Sequence, residues 1–147
     1  MVKISINIDE NHSDTEIIIN SKRLTPEVEK IIATLRILDQ KIMTTKDGES
    51  FIVDVSKIIY VESVDRKTFV YTENDYFESK LKLYEIEEQL CQCGFLRISK
   101  ACLVHLKYIR SLKSELDRKI RITLENGEQI IVSRKYADEL KYKLGVK

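Results

Sequence analysis

The sequence predicts a strand-dominated protein with short helices: one antiparallel β assembly behind a small N-terminal ββα appendage. Three observations carry this. Apolar residues recur with period two along much of the chain, as in Val2, Ile4, Ile6 and Ile8. The dipeptides Asp47-Gly48 and Asn126-Gly127 sit between such runs and supply the positive φ angles of tight hairpins. Helical spacing is confined to three short stretches.

Taken in order, residues 2–8 read as a strand, residues 10–14 as a polar turn and residues 16–20 as a second strand, so the two predict a hairpin. Thr25-Pro26 then opens a helix: Thr caps, Pro is preorganised for the first turn, and Glu27 and Glu29 suit the positive end of the dipole. Val28, Ile31, Ile32, Leu35 and Leu38 follow at helical spacing. These 40 residues form the appendage, a candidate for dimerisation or partner docking, and residues 41–147 form the main domain. There, residues 41–45 and 49–53 predict a hairpin about Asp47-Gly48. Residues 57–64 and 67–72 predict strands joined at Asp65-Arg66, and residues 76–79 a further strand. Leu83, Ile86 and Leu90 mark a short helix that stops at Gly94. Residues 102–108 are apolar but too short to assign by period. Residues 119–124 and 128–132 form the clearest hairpin, and Ser133 starts a last helix with Tyr136, Leu140 and Leu144 inward and Gly145 at its end.

Composition narrows the function. The chain has 147 residues, 25 Lys and Arg against 24 Asp and Glu, and three Cys. No apolar run approaches the about 20 residues of a membrane span, and the N-terminus lacks a secretory signal. An odd number of cysteines without such a signal predicts free thiols in a reducing cytoplasm. Charge is unevenly placed: residues 1–95 hold 12 basic and 18 acidic side chains, residues 96–147 hold 13 and 6. A basic C-terminal third attracts phosphate.

No phosphate-binding glycine loop, His-Glu-x-x-His or Gly-x-Ser-x-Gly motif is present, so nothing argues for an enzyme, a cofactor or a small-molecule substrate. Cys91, Cys93, Cys102 and His105 are a zinc-compatible set of ligands. Their spacing is C-x-C rather than C-x2-C, so the expectation is no metal, with a redox- or metal-responsive regulator as a minor alternative. Cationic residues are more informative. Arg97, Lys100, Lys107 and Arg110 are interleaved with apolar side chains, and Arg134-Lys135 follows the strongest hairpin directly. A cation at a helix N-terminus opposes the dipole. An Arg projecting from such a junction suits the two acceptors of guanine, whereas Lys suits phosphate.

In this order, Phe95-Leu96-Arg97-Ile98-Ser99-Lys100-Ala101-Cys102-Leu103-Val104-His105-Leu106-Lys107-Tyr108-Ile109 resembles the central signature of the LytTR DNA-binding domain. Asn126-Gly127-Glu128 leading to Val132-Ser133-Arg134-Lys135-Tyr136 is similar to its last hairpin and junction. Ile59-Tyr60-Val61-Glu62-Ser63 with Phe69-Val70-Tyr71 resembles its first strand pair, and residues 83–90 its short helix. The likeness spans about residues 41–145. It implies an elongated antiparallel β-sheet stack and a bacterial transcription regulator whose loops, rather than a helix, enter the major groove of double-stranded DNA, often at direct repeats and with bending. It further implies base contacts from Thr68 or its neighbours Arg66 and Lys67, from His105 where many members carry Asn, and from Arg134. Phosphate contacts then fall to Arg97, Lys100, Lys107 and Lys135. Lacking a receiver domain, the chain resembles stand-alone members. Some of these are held in check by a small membrane inhibitor protein, so the appendage is expected to serve either a homodimer or the docking of such a partner. The alternative is a β-rich adaptor whose basic third binds an acidic protein.

Overall fold

Thr25 and Pro26 open the first helix as their chemistry requires. The computed structural model describes residues 2–38 and 40–146. In it, α1 spans Pro26–Arg36, with the Val28 N–H donating to Thr25 Oγ1 at 3.3 Å. The helix stops short of Leu38, which is 70% exposed, because Ile37 turns into the core as its C-cap.

The hairpin expected over residues 2–8 and 16–20 does not form. A turn closes after residue 8, where the His12 N–H donates to the Asp9 carbonyl at 3.1 Å, yet neither flank is in strand. Alternation alone does not make a ladder. A two-stranded ribbon with no layer against its apolar face is marginal in water, and Ile4, Ile6 and Ile8 are 84%, 80% and 88% exposed.

From residue 41 the reading is largely realised. β1 (Lys41–Lys46) and β2 (Glu49–Asp54) form the hairpin about Asp47-Gly48, both at positive φ. β3 (Tyr60–Val64), β4 (Lys67–Tyr71) and β5 (Tyr76–Ser79) make a meander. α2 (Leu83–Leu90) leads to β6 (Phe95–Ser99) and β7 (Cys102–His105). A short 3-10 turn, Leu106–Tyr108, separates β7 from β8 (Ile109–Ser114). β9 (Ile120–Leu124), β10 (Gln129–Val132) and α3 (Arg134–Lys143) complete the chain. β6 and β8 were not legible as strands. β6 is buried on both faces, and β8 carries a register shift between Ile109 and Ser111, so neither alternates cleanly.

Two antiparallel sheets result, one of order β2-β1-β5-β4-β3-β7-β6 and one of order β10-β9-β8. The larger sheet is covered on both faces. Val61, Val70, Phe95 and Leu103 meet Leu83, Ile86 and Leu90 of α2, with Ile37 beside them. Their alternating neighbours Tyr60, Leu96, Ile98, Cys102 and Val104 meet Ile120, Ile122 and Leu124 of the second sheet and Ala137 and Leu140 of α3. α1 lies against the domain it precedes: Lys143 Nζ donates to Glu29 Oε2 at 2.7 Å, and the Ala33 Cβ lies 3.4 Å from where a Gly94 side chain would begin. Among the described residues no helix is long and apolar enough to cross a membrane.

Candidate nucleic-acid interface

Three turns distant in sequence meet at one end of the sheets. β3 runs to the Asp65-Arg66 turn, with Val64 paired to Lys67. The next strand, β7, starts beside it: Glu62 pairs Cys102, and the Ser63 N–H donates to the Ala101 carbonyl at 2.8 Å. The β6–β7 turn therefore holds Lys100 next to the β3–β4 turn. Ser133 joins the third element. Its N–H and its hydroxyl both donate to the Ile98 carbonyl, at 2.9 and 3.3 Å, instead of the hydroxyl capping α3. That pins Arg134 and Lys135, the first residues of α3, to the end of β6.

Sequence reasoning missed three further cations here. Thr68 pairs Ser79, so Lys80 leaves β5 at the same end. Val132 pairs Ile120, so the β8–β9 turn with Arg118 and Lys119 lies there too and touches α3. Arg66, Lys67, Lys80, Lys100, Arg118, Lys119, Arg134 and Lys135 are all exposed. Among the described residues none of them is in a salt bridge. The opposite end carries Asp54, Glu73 and Glu125, with a single cation among the described residues, Lys57, around one depression. The protein is thus polarised, which orients it toward a polyanion on approach.

A backbone signal marks two of these turns. Asp65 and Arg66 have φ 51° and 68°, and Asp117 and Arg118 have φ 59° and 61°. Asp47-Gly48, at φ 51° and 77°, has the same conformation with the residue that suits it. An L-residue pays for the left-handed region while Gly does not. Arg at positions 66 and 118 therefore costs stability; for Arg66 the signal readable in sequence was a two-residue loop between strands with no glycine, whereas Arg118 lies in the longer connection between Ser114 and Ile120. Leu116, beside Arg118, is 86% exposed at the same tip.

Four of the nine residues expected to touch DNA lie buried, paired within the protein or away from the turn edge. His105 is 2% exposed. Its ring stacks on Phe95 at 4.2 Å between centroids, and Nδ1–H donates to the Ile58 carbonyl at 2.8 Å. Burial pushes its pKa down to about 4, with Lys107 adding to the effect and the Ile58 bond opposing it, so the imidazole is neutral and structural. Thr68 is 3% exposed on the face that Val70 turns toward α2, so the turn's reach falls to Arg66 and Lys67. Arg97 is spent internally: its guanidinium donates to Glu87 Oε1 at 3.1 Å and to the Lys100 carbonyl at 2.8 Å. It holds the Lys100 turn in place. Lys107 lies past the other end of β7, against the Tyr108 ring, roughly 15–20 Å along the strand from Lys100.

The soft-ligand set is also divided by the sheet. Cys93 faces the α2 side and donates to Gln40 Oε1 at 2.8 Å, whereas Cys102 faces the second sheet, where burial pushes its thiol up to about 12. Cys91 is exposed, and among the described residues no group of three or more His, Cys, Asp or Glu is placed to hold a metal ion.

This arrangement is a β scaffold that gathers exposed cations on the turns at one end. Residues 48–145 match the LytTr DNA-binding domain family. Over 99% of its length the chain is 32% identical to an uncharacterized HTH-type transcriptional regulator of Staphylococcus aureus (strain NCTC 8325 / PS 47), and it covers 100% of that protein. A relative from strain MRSA252 carries the same description at 31% identity and the same coverage. The LytTr DNA-binding domain of a Bacillus cereus response regulator superposes with a TM-score of 0.68 at 26% identity, over 73% of this chain and 98% of that one. The chain belongs to the LytTr DNA-binding domain family. It is accordingly a DNA-binding transcription regulator and not an enzyme. Among the described residues strands separate every pair of helices.

Proposed function

We propose that this protein recognises a specific double-stranded DNA sequence with the turn edge and regulates transcription from there in the cytoplasm. What supports the reading is the convergence of the β3–β4 turn, the β6–β7 turn and the β10–α3 junction, each bearing an exposed cation without an acidic partner among the described residues. Arg66 and Arg134 take base edges in the major groove, where a planar fork matches the two acceptors of guanine. Lys67, Lys100 and Lys135 take phosphates and set the register. Arg97 acts through Lys100. In this reading the sites are direct repeats occupied in pairs, and the duplex bends so that both flanking turns engage. Bending costs about 1–6 kcal/mol, which favours flexible pyrimidine–purine steps at positions no side chain touches. The segment ahead of residue 41 serves assembly or the docking of a membrane-held inhibitor.

Selection of bound duplexes from a random pool tests this. The expected result is a recurring motif in two copies of like orientation. Recovery of unenriched sequence, or no retention at low salt, contradicts it.

A further inference from the structure

α1 does not close completely against the domain it precedes. Between it, the turn from α2 to β6, the end of β7 and the end of α3 lies a cavity of about 470 Å³. That is within the roughly 300–1,000 Å³ of small-molecule sites. Its wall is mostly apolar and includes Ile32, Ala33, Phe95, Leu106, Ile109 and Leu144. One buried polar group faces it. His105 is 2% exposed, and its Nδ1–H donates to the Ile58 carbonyl at 2.8 Å. A carbonyl only accepts, so the proton sits on Nδ1 and Nε2 is left as a bare acceptor. Among the described residues nothing donates to Nε2. Nor is it walled off: among them, Arg97 Nε is the one buried side-chain polar atom that is both unbonded and fully enclosed. Gly94 shows where this edge of the ring points. A Cβ added there would lie 3.4 Å from the Ala33 Cβ and 3.9 and 4.0 Å from His105 Cδ2 and Nε2. Glycine, at φ 83°, thus leaves the edge uncovered toward α1. A lone water is held by about two to four polar partners, and the Ala33 and Phe95 side chains beside this edge offer none.

We propose that this cavity binds a small apolar acid that also carries an N–H or O–H donor. The donor meets His105 Nε2. Burial keeps the imidazole neutral, so Nε2 is an acceptor at neutral pH. A buried acceptor without a partner costs free energy that a donor recovers and a pure hydrocarbon does not. The acid follows from the mouth of the cavity. Lys30, Arg36 and Lys107 line it, are exposed, and are in no salt bridge among the described residues. Lys143 lines it as well but is held at 2.7 Å by Glu29, the one carboxylate among the described lining residues. Three cations therefore remain over, and they attract an anion and repel an amine. The apolar wall takes the body between donor and charge, where a sugar would leave hydroxyls unpaired. The site is separate from the turn edge, since Lys107 lies roughly 15–20 Å along β7 from Lys100. The inference stands apart from the DNA-reading assignment, and its test contains no DNA.

Isothermal titration calorimetry of the full-length chain uses two probes, indole-3-acetate and 4-hydroxyphenylacetate. Beside them stand 1-methylindole-3-acetate and 4-methoxyphenylacetate, which keep the charge and lose the donor. At least one of the two acids is expected to bind saturably, at one site per chain. Its methylated partner is expected to bind about 5- to 150-fold more weakly, because Nε2 is then covered and left unpaired. Indole-3-acetamide keeps the donor without the charge and is expected to bind about fivefold more weakly than indole-3-acetate. Two variants locate the site. Ala33→Leu fills the space in front of the imidazole edge from a half-buried helix position, and it is expected to abolish binding with an unchanged circular dichroism spectrum. Lys107→Gln is expected to weaken the acids by about two- to fivefold and to leave indole-3-acetamide as it was. The matched ligands need no variant, so they decide the matter even where Ala33→Leu misfolds. Failure of both acids to bind at millimolar concentration overturns the proposal. Equal affinity for an acid and its methylated partner overturns it too, since the contact is then apolar alone. So does binding that a folded Ala33→Leu leaves intact, which places the acid elsewhere.

Discussion

Arg66→Gly separates the two demands made on the β3–β4 turn. Arg66 sits at φ 68° beside Asp65 at φ 51°, a pair of left-handed residues joining two strands. Holding an L-residue there costs roughly 1–2 kcal/mol. Glycine removes that cost but loses more chain freedom on folding, which takes back about 0.5–1 kcal/mol. The net expectation is a protein about 0.5–1 kcal/mol more stable, with a melting temperature higher by about 1–4 °C at this chain length. Arg66 is exposed and is in no salt bridge among the described residues, so no native contact opposes the gain. DNA binding moves the other way. Loss of a base contact from a guanidinium costs about 1–3 kcal/mol, or about five- to 150-fold in affinity for the selected site. Urea denaturation and a binding titration on the same preparation read both effects. The mirror experiment is Gly48→Arg, at φ 77° with nothing within 4 Å of an added Cβ and at the far end of the sheet. It lowers stability by about 1 kcal/mol and leaves DNA affinity unchanged. An Arg66→Gly protein that is less stable, or that binds its site as before, refutes the reasoning.

Other expectations follow from the same geometry. Arg134→Ala costs about 1–3 kcal/mol on the selected site and relaxes preference at one base position, read by repeating the selection with the variant. Lys100→Ala weakens specific and random duplexes alike and flattens the salt slope by about one unit, whereas Lys107→Ala changes neither. His105 makes stability fall in acid. Its folded pKa of about 4 lies below the ordinary 6.5, so between those values the unfolded chain binds a proton that the folded chain refuses. Stability is then full above pH 6.5 and declines by about 3 kcal/mol toward pH 4. His105→Asn removes this part of the slope, and denaturation across that pH range checks it.

Much of this fold was legible because local chemistry and tertiary structure agree. Thr25-Pro26 starts α1, Asp47-Gly48 and Asn126-Gly127 turn their hairpins, and α3 starts at Arg134. The failures have physical causes. Residues 2–8 have a strand's alternation and no layer to lie against within one chain. β6 is covered on both faces, so its burial hides the period of two. His105 follows three buried residues of β7, and only the sheet order shows that its ring turns inward on Phe95. The cation-bearing turn edge was legible in part. Arg134 and Lys100 stood out by their neighbours, but Lys80 and Arg118 reach the same edge only through the Thr68–Ser79 and Val132–Ile120 pairings. Conversely, Arg97 looked like a free cation until Glu87, ten residues earlier on α2, came to face it.

The claim that carries the account is that DNA lies across the turn edge and not across the opposite end. Lysine acetylation, mapped by mass spectrometry with and without the selected duplex, tests it in one experiment. The account predicts protection of Lys67, Lys80, Lys100 and Lys135, with Lys57 and Lys107 reacting equally in both samples. Protection of Lys57 and Lys107 while Lys67 and Lys100 stay reactive would contradict it.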